Sequence, residues 1–274
     1  MPAALRLQRV TLPVPDLAAA EKFYRWVLAM KEAAAETDPG EAVLGWGRED
    51  RVHLVDAAAI PGARESLSLR MEGLEPAAMA RRLADRGLGP SRVVAFEEDV
   101  AEMHAAWPDA EVAVDPDPAD SNRYVLSLES PADVRVDLHV PFPSASVVAR
   151  GRHGPFYRRT KDWRGLENPG ILGVTLGAAD PPALAGFLAA LGIRAMADAS
   201  DPDAPLLAGD HQLRIERREP SGIYGAAFVV AAARLPDLVR TLERFSVQHR
   251  LDRNHLLAVD PAGRILAVNG VRSG

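Results

Sequence analysis

"RVTLPVPDLAAAEKFYRWVL" (residues 9–28) returns as "GVTLGAADPPALAGFLAALG" (residues 173–192), and this repetition decides how the chain is read. Val-Thr-Leu is repeated verbatim; Asp16 then aligns with Asp180, Phe23 with Phe187 and Val27 with Leu191. The first copy opens as an alternating strand (Leu7, Val10, Leu12, Val14) and turns directly into a helix. Each aspartate stands at the N-cap position, where a short side-chain oxygen takes a backbone N–H left over at a helix start. Phe23 and Val27 are four residues apart and share one buried helix face. One residue breaks the pattern, an arginine at position 9 on a strand that belongs in a core.

Fainter strand–helix copies occupy 66–86, "SLSLRMEGLEPAAMARRLADR", and 225–245, "GAAFVVAAARLPDLVRTLERF". Strand-like segments follow every copy, among them "EAVLGWG", "RVHLVDA", "NRYVLSLES", "VRVDLHV", "HQLRIERR" and "HLLAVD". The endings repeat as well, "SPADVRVDLHV" (130–140) against "DPAGRILAV" (260–268). Internal repetition of this kind marks duplicated structural units. The expectation is an α+β chain of four βαβββ modules in two pairs, with domains over 1–140 and 171–274. Residues 141–170 carry no period and hold six Lys/Arg against two acids, which reads as a linker between the pairs.

Composition narrows the function. The 274 residues are 47% hydrophobic and 26% charged, enough for two ordinary domains. A net charge of −6 argues against a nucleic-acid partner. There is no cysteine, which removes disulfides, thiolate metal sites and cysteine nucleophiles together. No stretch approaches a membrane span or secretory signal, so no membrane partner and a cytoplasmic location are expected. A P-loop, a dinucleotide fingerprint and a nucleophile elbow are all missing. The acidic run over 96–120 reads as a solvated helix followed by a Pro/Asp turn region.

Four βαβββ units in two pairs, opened by "VPDL…FY" and closed by the repeated endings, resemble the vicinal oxygen chelate superfamily. That superfamily includes glyoxalase I, bleomycin- and fosfomycin-resistance proteins and extradiol ring-cleaving dioxygenases. The resemblance implies that each pair of modules curls eight strands around a cup, with helices outside. It also implies a divalent metal at the cup floor, held from the first, fourth, fifth and eighth strands. In this chain those positions are Arg9, His53, Ser66 and Asp137 in the first domain. In the second they are Gly173, Arg214 or Glu216, Gly225 and Ala267. A guanidinium offers no lone pair to a metal. Serine is a poor ligand, and two ligands are fewer than the three that catalytic sites commonly use. The sequence therefore predicts no metal and no cofactor.

Alternation places Arg135, Asp137 and His139 toward the first cup, with Ser66, Ser68 and Arg70 sharing that face. One reading makes Arg9 and Asp137 an ion pair that replaces the metal for stability alone. The functional reading has Arg9 anchor a small anionic or aromatic metabolite, with Ser66, Ser68, Arg70, Tyr124 and His139 as further ligand contacts. His53 is then a general acid or base, with Asp137 holding its ring. Tyr124, Tyr157 and Trp163 could line a cup mouth; His104, His249 and His255 read as surface residues. Such a protein would sequester its ligand, as resistance proteins do, or move a proton on it. Two alternatives stand beside it. One is a metal-dependent lyase, isomerase or dioxygenase using an irregular set such as His53, Asp137 and His139. The other is a non-catalytic scaffold whose second domain, with small residues at its cup positions, packs on another copy as a homodimer.

Overall fold

The computed structural model describes residues 5–32, 38–45, 51–71, 75–115, 122–141, 170–195, 206–208 and 211–271. The first half runs β1 (Leu5–Val14), α1 (Leu17–Lys22, continuing as a π-helical turn over Phe23–Val27), β2 (Lys31–Glu32), β3 (Glu41–Gly45) and β4 (Arg51–Asp56). It continues with β5 (Ser66–Met71), α2 (Pro76–Ala84), β6 (Arg92–Ala95), α3 (Val100–Ala106), β7 (Glu111–Val114), β8 (Asn122–Glu129) and β9 (Arg135–Pro141). These nine strands form one sheet in the order β2-β3-β4-β1-β5-β9-β8-β6-β7.

The second half runs β10 (Gly170–Ala178), α4 (Pro181–Leu191), β11 (Arg194–Ala195), β12 (Leu206–Ala208), β13 (His211–Arg217) and β14 (Gly222–Ala231). Then come α5 (Leu235–Arg244), β15 (His249–Asp252), β16 (His255–Val259) and β17 (Ile265–Val271). Their sheet has eight strands in the order β11-β12-β13-β10-β14-β17-β16-β15. The ninth strand of the first sheet is β7, parallel to β6 at the edge. It lies in the acidic run expected as helix and turn: "EVAV" alternates just enough for an edge strand, while α3 takes only the middle of the run. The aperiodic segment, with Tyr157 and Trp163, lies outside the described residues.

The repeat is visible atom by atom. Asp16 accepts from the Ala19 N–H (2.9 Å) and Asp180 from the Ala183 N–H (3.2 Å), so both helices start at their predicted caps. Helix α4 ends on Gly192, whose φ of 100° suits a residue without Cβ, and the Ile193 N–H closes the turn on the Leu188 carbonyl (3.1 Å). Strands β1 and β10 carry a bulge at the same place, Gln8 in one and Leu172 in the other. The bulge sets Arg9 opposite Ser68 and Gly173 opposite Ala227.

Leu7, Val10, Leu12, Leu67, Leu69, Val136 and Leu138 line the helix side of the first sheet and are all but fully buried. A single hydrophobic cluster runs through both halves, from Leu5 to Val268. Among the described residues, no helix is long and apolar enough to cross a membrane.

Candidate functional site

The pairing registers build the face of the first sheet that points away from the helices. Arg51, Arg9, Ser68, Asp137 and Ser127 lie side by side in one row across β4, β1, β5, β9 and β8. The next row is Val43, His53, Thr11, Ser66 and Arg135. Arg70 lies beside His139 one step further along. Of the residues predicted for this site, Arg9, His53, Ser66, Ser68, Arg70, Asp137 and His139 are thus brought onto one face.

Tyr124 is not among them. Its side chain is fully buried on the helix side, its ring 5.8 Å from that of Trp107, and burial holds its hydroxyl well above the ordinary phenol range. The reason is local. Along β8 Tyr124, Leu126 and Leu128 alternate on the core face while Val125 and Ser127 take the other, the register with β9 shifting only between Asn122 and Tyr124.

The contacts on this face also redistribute the expected pairings. Asp137 does not orient His53. Its carboxylate accepts from Ser127 Oγ (2.7 Å) and pairs with Arg135 Nε (3.0 Å). His53 instead meets Glu41, Nε2 to Oε2, at 3.0 Å. Glu41 was missed because it lies on the neighbouring strand, diagonal to His53: Val43 is directly opposite His53, and Glu41 is two residues away. Alternation along "EAVLG" was the signal that could have found it. A carboxylate only accepts, so His53 carries its proton on Nε2 and keeps a lone pair on Nδ1. Burial, the Arg9 charge and the Arg135 charge hold His53 below its ordinary 6.5, against the opposing pull of Glu41. It is therefore neutral at physiological pH.

Arg9 donates from Nε to Ser68 Oγ (3.3 Å). His139 sits against Asn122, Nδ1 to Nδ2 at 2.9 Å. Ser66 is fully buried, and its hydroxyl has no hydrogen-bond partner among the described residues. At the centre of this face Arg9, Arg51, Arg70 and Arg135 stand around Glu41 and Asp137, with Arg6 and Arg92 and the carboxylates of Glu129 and Glu111 toward its edges.

The superfamily's metal does not fit here. Two guanidinium groups act on His53, and one of them stands where the first ligand would be. Asp137 is committed to Arg135 and Ser127, and among the described residues no three side chains could hold an ion together. The second sheet excludes it more firmly. Gly173 and Gly225 occupy the first- and fifth-strand positions, and a Cβ there would lie 2.2 Å from the Gln212 carbonyl oxygen or 2.4 Å from that of Ile265. No side chain can be restored at either place unless a neighbouring strand moves. The register also resolves the fourth-strand position: Arg214, opposite Thr175, corresponds to His53 opposite Thr11.

Known structures share this architecture. A catechol 2,3-dioxygenase superposes with a TM-score of 0.67 at 13% identity, over 97% of this chain and 89% of its own. Homoprotocatechuate 2,3-dioxygenase from Arthrobacter globiformis gives 0.63 at 14% identity, over 98% of this chain and 79% of that one. The Mn(II)-bound glyoxalase from Novosphingobium aromaticivorans gives 0.62 at 13% identity, over 98% and 83%. No family model matches the chain, and no curated protein matches it in sequence. The fold is that of a two-domain vicinal oxygen chelate protein. At these identities the likeness concerns the fold alone.

Proposed function

We propose that the protein binds a small anionic metabolite in its first cup, without the superfamily's metal. The observation that carries this reading is the guanidinium excess on a concave face of an otherwise acidic protein, with Arg9 at the place of a metal ligand. A cation is repelled from such a floor, whereas a carboxylate or phosphate finds planar donors at close range. The Ser66 hydroxyl, without a partner among the described residues, adds a donor and acceptor, and Ser68, Arg70 and His139 share the face.

Glu41 and His53 supply the chemistry that such a site could add. A neutral imidazole with its proton fixed toward a carboxylate keeps a basic nitrogen for a C–H or O–H of the bound compound. The proton would move to Nδ1, and Glu41 would stabilise the imidazolium formed. Asp137, tied to Arg135, acts on this step only by holding that arginine in place. Its role as a direct partner of His53 is withdrawn.

Calorimetry with phosphate, oxalate and malonate tests the binding. At least one should bind the wild type, and Arg9→Gln should weaken it roughly tenfold, as expected for a lost charge-assisted hydrogen bond. Failure of all three to bind, or an unchanged affinity in Arg9→Gln, would retire the proposal. Deuterium exchange at the malonate methylene, lost in His53→Gln, would identify proton transfer; binding without exchange would mean sequestration. Elemental analysis of the purified protein is the companion measurement. One tightly held divalent metal per chain would favour the metal-dependent reading built on His53, Asp137 and His139.

A further inference from the structure

The second cup is a cavity of about 310 Å³, within the range of roughly 300–1,000 Å³ typical of small-molecule sites. Gly173, Gly225, Ala227 and Ala267 form a floor of backbone and methyl groups, and Leu257 and Ile265 give it apolar walls. Ile265 keeps 45% of its surface exposed. Much of the polar lining is engaged. Glu216 pairs with Arg218 (2.9 Å), whose guanidinium lies over the Tyr224 ring at 4.7 Å. His255 Nδ1 meets Asn269 Oδ1 at 2.5 Å. Arg214, which lines the cavity together with Thr175 and Gln212, has no hydrogen bond or ion pair among the described residues. Two guanidinium groups against one carboxylate, with that carboxylate already matched, leave one positive charge over an apolar floor.

We propose that this second cup is a separate site for a small monoanion with an apolar body, a ring carboxylate in chemical class. The ring lies on the glycine and alanine floor, and Arg214 takes the carboxylate. Gly173 and Gly225 line the cavity with backbone alone, at the positions that Arg9 and Ser66 hold in the first cup, and so the site has no counterpart there. It goes beyond the first-cup reading and stands without it.

Ligand-observed NMR titration of the full chain with benzoate and cyclohexanecarboxylate, against their neutral amides, tests it. At least one carboxylate should saturate the wild type and bind about tenfold more tightly than its amide. Arg214→Gln, a change at an exposed side chain that leaves the core intact, should remove that difference. Ala267→Phe should fill the floor and abolish binding of both forms, with the thermal transition recorded to show that the variant folds. Arg9→Gln should leave these titrations unchanged. No saturable binding of either carboxylate, or amides binding as tightly, would overturn the proposal. So would binding that survives Arg214→Gln but is lost in Arg9→Gln, because that would place these ligands in the first cup. The first-cup reading fails on different data, the calorimetry of phosphate, oxalate and malonate.

Discussion

Ser66 hides a hydroxyl from water and, among the described residues, gives it nothing to bond, an arrangement that costs about 1–3 kcal/mol unless a ligand or water supplies the partner. Ser66→Val, close in shape and free of polar atoms, should therefore raise stability by roughly 1 kcal/mol in urea denaturation. The same variant should bind the first-cup anion less tightly. A destabilised Ser66→Val would show that the hydroxyl already has a partner in solution. His53 makes a second residue-level prediction through linkage. Its folded-state proton affinity is depressed, chiefly by burial and then by Arg9, so the unfolded chain binds the proton more readily. Stability from this group is complete above its ordinary 6.5 and declines as pH falls from there through the folded value. Denaturation between neutral and mildly acidic pH should show that slope, and His53→Gln should flatten it.

At the scale of the element, the two copies of the first strand carry opposite solutions in one backbone. Both have the bulge after the first apolar pair, but β1 follows it with Arg9 and β10 with Gly173. In β10 the neighbouring strand's carbonyl occupies the place of a Cβ, and β14 repeats this at Gly225 against β17. Gly173→Ala and Gly225→Ala should each cost about 2–4 kcal/mol, well above the ordinary penalty for a substitution in a strand. Thermal or urea denaturation reads this directly. A loss under 1 kcal/mol would mean that the strands separate easily, and that the second cup is softer than its geometry implies.

The whole molecule is held by contacts that cross between its halves. Arg264 donates to the Pro13 carbonyl (3.0 Å) and to Glu65 Oε1 (2.9 Å), while Glu65 Oε2 accepts from the Ile223 N–H. Tyr24, fully buried, donates to Asp260 Oδ2 at 3.0 Å, and Arg82 reaches the Leu191 carbonyl at the end of α4. Glu65 immediately precedes Ser66 in the first cup, and Arg264 immediately precedes Ile265 in the second, so this junction borders both sites. Glu65→Ala would leave a largely buried guanidinium and a backbone N–H without their acceptor, at a cost of about 3 kcal/mol. Because one hydrophobic cluster spans both halves, calorimetry of this variant should still show a single transition at lower temperature. Two separated transitions would mean that the junction, rather than the shared core, makes the halves cooperative.

The local signals of this protein are carried by its sequence. The repeat, the aspartate caps and the alternation of "RVDLHV" and "SLSLR" placed four modules, both helix starts and seven residues of the first cup, because these features act between neighbours along the chain. Alternation has a period of two, so it told which residues share a face once one of them was placed. Arg9 and the two glycines stand at the positions that the family resemblance assigns to metal ligands. What the sequence left open depended on which strands lie side by side. The partner of His53 is Glu41 and not Asp137 because β3 pairs with β4, while Asp137 meets Ser127 from β8. Tyr124 faces the core in step with Leu126 and Leu128 along β8, and its contact with Trp107 is made only in the tertiary structure. The floor of the second cup is bare backbone because β13 and β17 press against two glycines, a distance between strands that no single stretch of chain encodes.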